Sequence, residues 1–139
     1  MAHLKVRIAQ GEYKRMLDEA KLRAPLEACG LLGGRDIDGT RYVERVYLLQ
    51  NVEASQEHFT LDPAEQLAAV RDMRARKLEL VGNWHSHPAT PSRPSKEDIR
   101  LAYDVRLSHF ILSLAGEEPV LRSFCIEGGT ATAQDLEIG

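Results

Sequence analysis

The sequence predicts an α/β domain whose mixed β-sheet is flanked by helices, and three observations lead there. Segments of two-residue apolar alternation interleave with segments of helical spacing. Turn-like stretches join neighbouring strands closely enough to form hairpins, which a purely parallel sheet lacks. The 139 residues suit one domain, spanning 1–139, around a single core.

Leu4, Val6 and Ile8 alternate with polar residues and predict a short half-buried strand. From Glu12 to Arg23, Tyr13, Met16, Leu17 and Ala20 fall at helical spacing, and Pro25 ends that helix. Leu26 to Leu32 is apolar except for Glu27, which predicts a buried strand closed by a turn at Gly33-Gly34. Asp36 to Thr40 is turn-like and Tyr42 to Leu49 is rich in β-formers, so a hairpin is expected there. Phe59-Thr60-Leu61 reads as a short strand. Asp62, Pro63 and Glu65 mark a helix start, and a helix from Pro63 to about Lys77 should place Ala64, Leu67, Ala68 and Met73 near one face. Leu78 to Trp84 predicts a central strand, followed by a loop over 85–94 that holds three prolines. Ser95 opens a further helix to about Val105. Strands at His109 to Leu114 and Val120 to Ile126 are joined by a turn at Gly116 to Pro119. A weaker strand over 130–138 follows Gly128-Gly129.

Composition removes several function classes. Eighteen Lys and Arg against 21 Asp and Glu give a formal charge of −3, unlike the basic surface that phosphate binding needs. No apolar run approaches the roughly 20 residues that span a bilayer. Met1 to Gln10 alternates where a secretory signal would be continuously apolar, so a cytoplasmic protein is expected. Cys29 and Cys125 are too few for a disulfide scaffold and lack zinc-ribbon or redox-pair spacing. Cys29 is expected as a small core residue, and Trp84, on the strand face opposite His85, as packing. His3, His58 and His109 are isolated and expected as surface or packed histidines.

The chemistry concentrates in Trp84-His85-Ser86-His87-Pro88 and Pro94-Ser95-Lys96-Glu97-Asp98. Residues i and i+2 of an extended chain share a side, so His85 and His87 can face one centre. The prolines stiffen the loop that delivers Asp98 on the first turn of the next helix. Two imidazoles and a carboxylate make a three-ligand set for a zinc-type divalent ion. The open fourth position marks a catalytic site, since a closed structural one needs four ligands. Iron, cobalt or manganese would also suit that set. Ser95-x-x-Asp98 equally resembles a capping box, and a cap residue can face a site. Glu27 is either a salt-bridged strand carboxylate or part of the chemistry.

These residues, together with Gly30-Leu31-Leu32-Gly33, resemble the JAMM (MPN+, Mov34/PAD-1) zinc metalloprotease family. Its pattern is a Glu on an early strand, then His-x-His, seven residues, Ser, two residues and Asp. Glu27, His85, His87, Ser95 and Asp98 fill it. The resemblance implies the JAB1/MPN fold, which is related to the cytidine deaminases. The deaminase His-x-Glu and Pro-Cys-x-x-Cys signature is missing. It also implies roles: His85, His87 and Asp98 as ligands of Zn2+, Glu27 as general base, and Ser95 as stabiliser of the oxyanion.

The short segments after His87 and Asp98 resemble the compact prokaryotic stand-alone members. The resemblance implies hydrolysis after the C-terminal Gly-Gly tail of a ubiquitin-like sulfur-carrier protein, with the tail able to add to a sheet edge. Two alternatives stay open: a protease for a ubiquitin-like modifier joined to lysine, and an inactive MPN-type binding or scaffold module. No nucleic acid or membrane partner is expected.

Overall fold

The computed structural model describes residues 5–55 and 59–139. In chain order the elements are β1 (Lys5–Ile8), α1 (Gln10–Arg23), β2 (Cys29–Ile37), β3 (Thr40–Leu49), α2 (Pro63–Ala75) and β4 (Glu79–His87). Then come α3 (Lys96–Arg100), β5 (Ser108–Ser113), β6 (Val120–Glu127), β7 (Thr130–Ala133) and β8 (Asp135–Ile138). All eight strands form one sheet in the order β7-β6-β5-β4-β2-β3-β1-β8. The sheet is mixed, as the hairpins imply: β1 runs parallel to β3 and β8, β4 runs parallel to β5, and the other pairs are antiparallel. Its two edge strands are consecutive in the chain and separated only by Gln134, so the sheet must curl until its edges meet. Gln134 fastens the junction, donating its N–H to the Ser123 carbonyl at 2.8 Å and accepting from the Ser123 hydroxyl at 2.6 Å. Such closure protects edges that would otherwise invite pairing with other chains.

Side-chain alternation sorts the core onto two faces. Leu32, Trp84, Phe110 and Leu112 join Met16 and Ala20 of α1 on one face. Leu31 and Leu49 meet Ala69 and Met73 of α2, while Ile111, Phe124 and Ile126 meet Ile99 and Ala102 at α3. Trp84 is fully buried, as its place opposite His85 predicts.

Several boundaries differ from those the sequence predicts, each for a local reason. Gly33-Gly34 is the middle of β2 and not a turn; the pairing register shifts there against both neighbours. A Cβ on Gly34 would lie 2.0 Å from the Tyr42 carbonyl oxygen, so the glycine serves a bulge of close backbone approach. The reversal comes at Asp38 and Gly39, whose φ values of 49° and 81° make the tight hairpin turn. Leu26 to Ala28 precede β2 and are not strand.

Phe59 to Leu61 form only one bridge, between Leu61 and Asn51. The Asn51 side-chain oxygen takes the N–H groups of Glu53 and Thr60, each at 3.1 Å, and so competes with a ladder. Helix α2 starts as predicted, with Asp62 capping Ala64 N–H, and buries Met73 as expected, but Ala69 joins it while Ala64 and Ala68 are exposed. Leu67 is half exposed, and Glu65 reaches the Gln50 N–H instead of closing a capping box. Helix α3 stops at Arg100, five residues short of the predicted end. Beyond it Leu101, Tyr103 and Val105 find no buried place, and the Asp104 carboxylate accepts from Arg106 N–H in a local turn. The final strand is divided at Gln134. Leu4, His3 and His58 lie outside the described residues.

Gly30 explains the small residue ahead of Leu31-Leu32. The Trp84 indole crosses it to donate to the Tyr47 carbonyl at 3.0 Å, and a Cβ there would fall 1.7 Å from that oxygen. Gly30→Ala should therefore destabilise the fold by about 1–3 kcal/mol, as overpacking does. Urea unfolding should show a lower midpoint at unchanged slope, and an unchanged midpoint would contradict this packing account.

Candidate metal centre

Strand β4 runs through the His-x-His and ends at His87, which puts both imidazoles on the face opposite Trp84. His85 and His87 are 2% and 6% exposed. The proline-stiffened loop then returns the chain to α3. There a complete capping box forms, in which Ser95 Oγ accepts from Asp98 N–H at 3.0 Å and Asp98 Oδ2 accepts from Ser95 N–H at 2.8 Å. The same Oδ2 lies 3.2 Å from His85 Nε2 and 3.4 Å from His87 Nε2, and the two Nε2 atoms are 3.1 Å apart. The helix cap and the proposed ligand are thus one carboxylate oxygen with two tasks.

That triangle fits a metal ion. Ligand atoms at about 2.0–2.1 Å around a tetrahedral centre sit about 3.3–3.4 Å from one another. Among the described residues, His85, His87 and Asp98 are the one group of three such side chains whose donor atoms converge. The second shell suits it as well. His87 Nδ1 is 2.9 Å from the Pro91 carbonyl, which can only accept. The ring proton therefore sits on Nδ1, and the Nε2 lone pair faces the centre. His85 stacks on Phe59 with ring centroids 4.6 Å apart.

Burial and charge tune these groups. Burial pushes the His85 pKa down, against the pull of Asp98. Burial also works to lower the His87 pKa, but hydrogen bonds to Asp98 and the Pro91 carbonyl outweigh it and raise the value. Asp98 is held well below the usual carboxylate range, because hydrogen bonds from both histidines and the Ser95 amide overcome its burial.

Glu27 is 5% exposed and sits in the irregular link between α1 and β2. Its N–H donates to the Ser55 carbonyl at 2.7 Å, and its carbonyl accepts from Asn51 Nδ2 at 3.1 Å. Burial pushes its carboxyl up to about 8, with His87 drawing it down and Asp98, Glu97 and Glu53 adding to the rise. Glu27, His87 and Ser95 together line a groove of about 770 Å³, with Pro25, Pro88, Ala89, Thr90 and Lys96 around them. All five sequence-selected residues therefore meet at one place. Because Ser95 Oγ spends a lone pair on the cap, its hydroxyl proton remains available to a ligand.

Sequence reasoning missed several supports. Phe59 and the Pro91 carbonyl follow no readable spacing. Asn51 fastens both Glu27 and the loop before α2. His109 is packed, as expected, but it lines a second cavity of about 220 Å³ beside His85 and Asp98. Its Nδ1 lies 3.2 Å from Asn83 Oδ1. Cys29 is fully buried opposite His85 in the β2–β4 ladder, and burial raises its thiol pKa to about 12. A thiol held protonated there is a core residue and not a nucleophile.

Comparison with known proteins bears on this geometry. A family model described as prokaryotic homologs of the JAB domain matches residues 9–127. A CysO-cysteine peptidase of Mycobacterium tuberculosis is 33% identical over 126 residues, covering 88% of this chain and 84% of that protein. A desampylase of Pyrococcus furiosus is 33% identical over 63% of this chain and 59% of its own length. A probable TtuB-protein conjugate cleaving protease of Thermus thermophilus is 40% identical over 57% of this chain and 51% of its own. A Desulfitobacterium hafniense protein of known solution structure superposes with a TM-score of 0.88 at 47% identity, covering 96% and 92% of the two chains. A JAB1/MPN domain protein from Archaeoglobus fulgidus shares the fold, with a TM-score of 0.59 at 23% identity over 94% and 97%.

The buried His109 generates a pH prediction. Burial, then the neighbouring His85, lowers its pKa from 6.5 to about 4. As pH falls between those values, the unfolded chain takes up a proton that the folded chain refuses, so stability is lost. Urea unfolding of the metal-free protein should show this loss as pH falls from about 6.5 to about 4, and His109→Gln should make it shallower. Equal slopes for the two proteins would contradict the assignment.

Proposed function

The chain belongs to the prokaryotic JAB-domain family, and on that premise we propose a zinc-dependent peptidase acting on a ubiquitin-like protein. The bond cut is the one following the C-terminal Gly-Gly tail of a small sulfur-carrier-type protein. One observation carries this reading: three donor atoms lie 3.1–3.4 Å apart, and one of their residues, His87, shares a groove with the buried Glu27 and the capping Ser95. A relative that spans 88% of this chain is named a CysO-cysteine peptidase, which favours a substrate with cysteine as the leaving group.

His85, His87 and Asp98 would hold the ion, and their two neutral nitrogens and one anionic oxygen suit Zn2+. Bound there, it supplies a Lewis acid that polarises the scissile carbonyl and acidifies water near neutral pH. Glu27 takes a proton from the water that adds to the carbonyl carbon. It returns that proton to the amine nitrogen as the C–N bond breaks, leaving a free carboxylate tail and a free amine. The Ser95 hydroxyl donates to the oxyanion that forms between these events. The substrate tail lies in the groove past the end of β4, along Pro88 to Thr90. Strand addition at a sheet edge does not serve this purpose, because β4 lies in the interior of the sheet, three strands from its nearer edge.

A second reading keeps the chemistry and changes the leaving group to a lysine side chain. The name of the TtuB-protein conjugate cleaving protease favours a protein as the leaving group, and that relative is matched over 51% of its own length. A scaffold module without catalysis would be expected to lack part of the ligand set, and here the set is complete.

Assaying both conjugates side by side separates the readings. The carrier with a single amino acid after Gly-Gly should be hydrolysed, and activity confined to the lysine conjugate would overturn the carrier version. Glu27→Gln should bind metal normally and lose turnover by about 10²–10⁴-fold. Full activity in that variant would remove Glu27 from the mechanism. Ser95→Ala should keep metal and lose about 10²–10³-fold in kcat, whereas loss of fold would leave it as a helix cap alone.

A further inference from the structure

We propose that Ser86, between the two histidines, is a positioning residue that sets where Glu27 stands relative to the metal ligands. The inference rests on Glu27 being the general base.

Ser86 is wholly buried on the core face of β4, opposite His85 and His87. A hydroxyl in such a place needs a partner. Its partner is Ala28, bonded twice: Ser86 N–H donates to the Ala28 carbonyl at 2.9 Å, and Ser86 Oγ accepts from Ala28 N–H at 2.8 Å. The antiparallel ladder of β2 and β4 runs from Gly34 opposite Glu79 to Cys29 opposite His85. The next pair in register is Ala28 with Ser86. In a regular ladder both bonds of that pair join main chain to main chain. Here the hydroxyl takes the second bond, β2 ends, and the chain departs with Glu27 next to the clamp.

Glu27 is also fastened to Ser55 and Asn51, which belong to the loop after β3. The Ser86 clamp ties the segment to the strand that carries both histidines. It lies one residue from Glu27 on one side and one residue from each histidine on the other. Any displacement of β4 is therefore passed to the base through two short bonds. Placement errors of about 1 Å at a reacting group can cost about 10²-fold in rate.

The test is Ser86→Ala, read in three ways. Metal content should equal that of the wild type, KM should stay within about twofold, and kcat should fall at least about tenfold. In the metal-free protein, amide exchange at Ala28 should rise at least about tenfold while β2 and β4 keep their protection. Ser86→Thr, which retains the oxygen, should recover most of the kcat. If Ser86→Ala does not fold, Ser86→Cys takes the same readouts, with a partial loss expected from its weakly accepting sulfur. An unchanged kcat, a fall in kcat without faster exchange at Ala28, or joint loss of metal and activity would each overturn the proposal. Glu27→Gln keeps the two readings apart. If it loses turnover while Ser86→Ala does not, the clamp is wrong and the base stands. If it keeps turnover, the base reading fails, and with it the role proposed for Ser86.

Discussion

A single carboxylate oxygen, Asp98 Oδ2, sets the terms for the site. It faces two buried imidazole nitrogens and closes the cap of α3 at the same time. Three lone-pair donors so close together in a low-dielectric pocket are compatible only with something positive among them. Everything nearby keeps those atoms in place. Pro91 fixes the His87 tautomer, Phe59 packs the His85 ring, and Ser113 Oγ holds the Thr90 carbonyl of the loop at 2.5 Å. The short helix that brings Asp98 owes its start to the same oxygen that the ion would need. The cap of α3 and the third donor of the ligand set therefore rest on one oxygen.

The sheet explains why the site can be rigid without being sealed. Strand β4 lies between β2 and β5, deep in a curled sheet whose edges meet at Gln134. Its C-terminal end opens into the groove, while its other face is locked by Trp84 and Ser86. Substrate thus approaches the end of an interior strand. Glu27 reaches the site from an irregular link, so its position depends on hydrogen bonds with neighbouring segments and not on strand geometry of its own.

How much of this the sequence reveals follows from the range of each interaction. The His-x-His was legible because strand alternation is local, and Asp98 because a capped helix start follows a stiff loop. Glu27 was only an anomalous carboxylate in an apolar run until the family pattern gave it a role, since its contacts come from distant segments. Gly33-Gly34 reads as a turn in the sequence because close backbone approach and chain reversal call for the same residue. The end of α3 and the buried face of α2 depend on which neighbours are present, which periodicity in one segment cannot state. Ser86 carried a faint signal: a small polar residue on the core face of a buried strand must be bonded to something. Phe59 carried none.

The central claim is that this triangle is a metal centre of a catalytic kind. Elemental mass spectrometry of the purified protein, beside a His87→Ala variant, tests it most directly. The account predicts about one zinc per wild-type chain and none in the variant. A wild-type protein that contains no metal and takes up none from added zinc would contradict it.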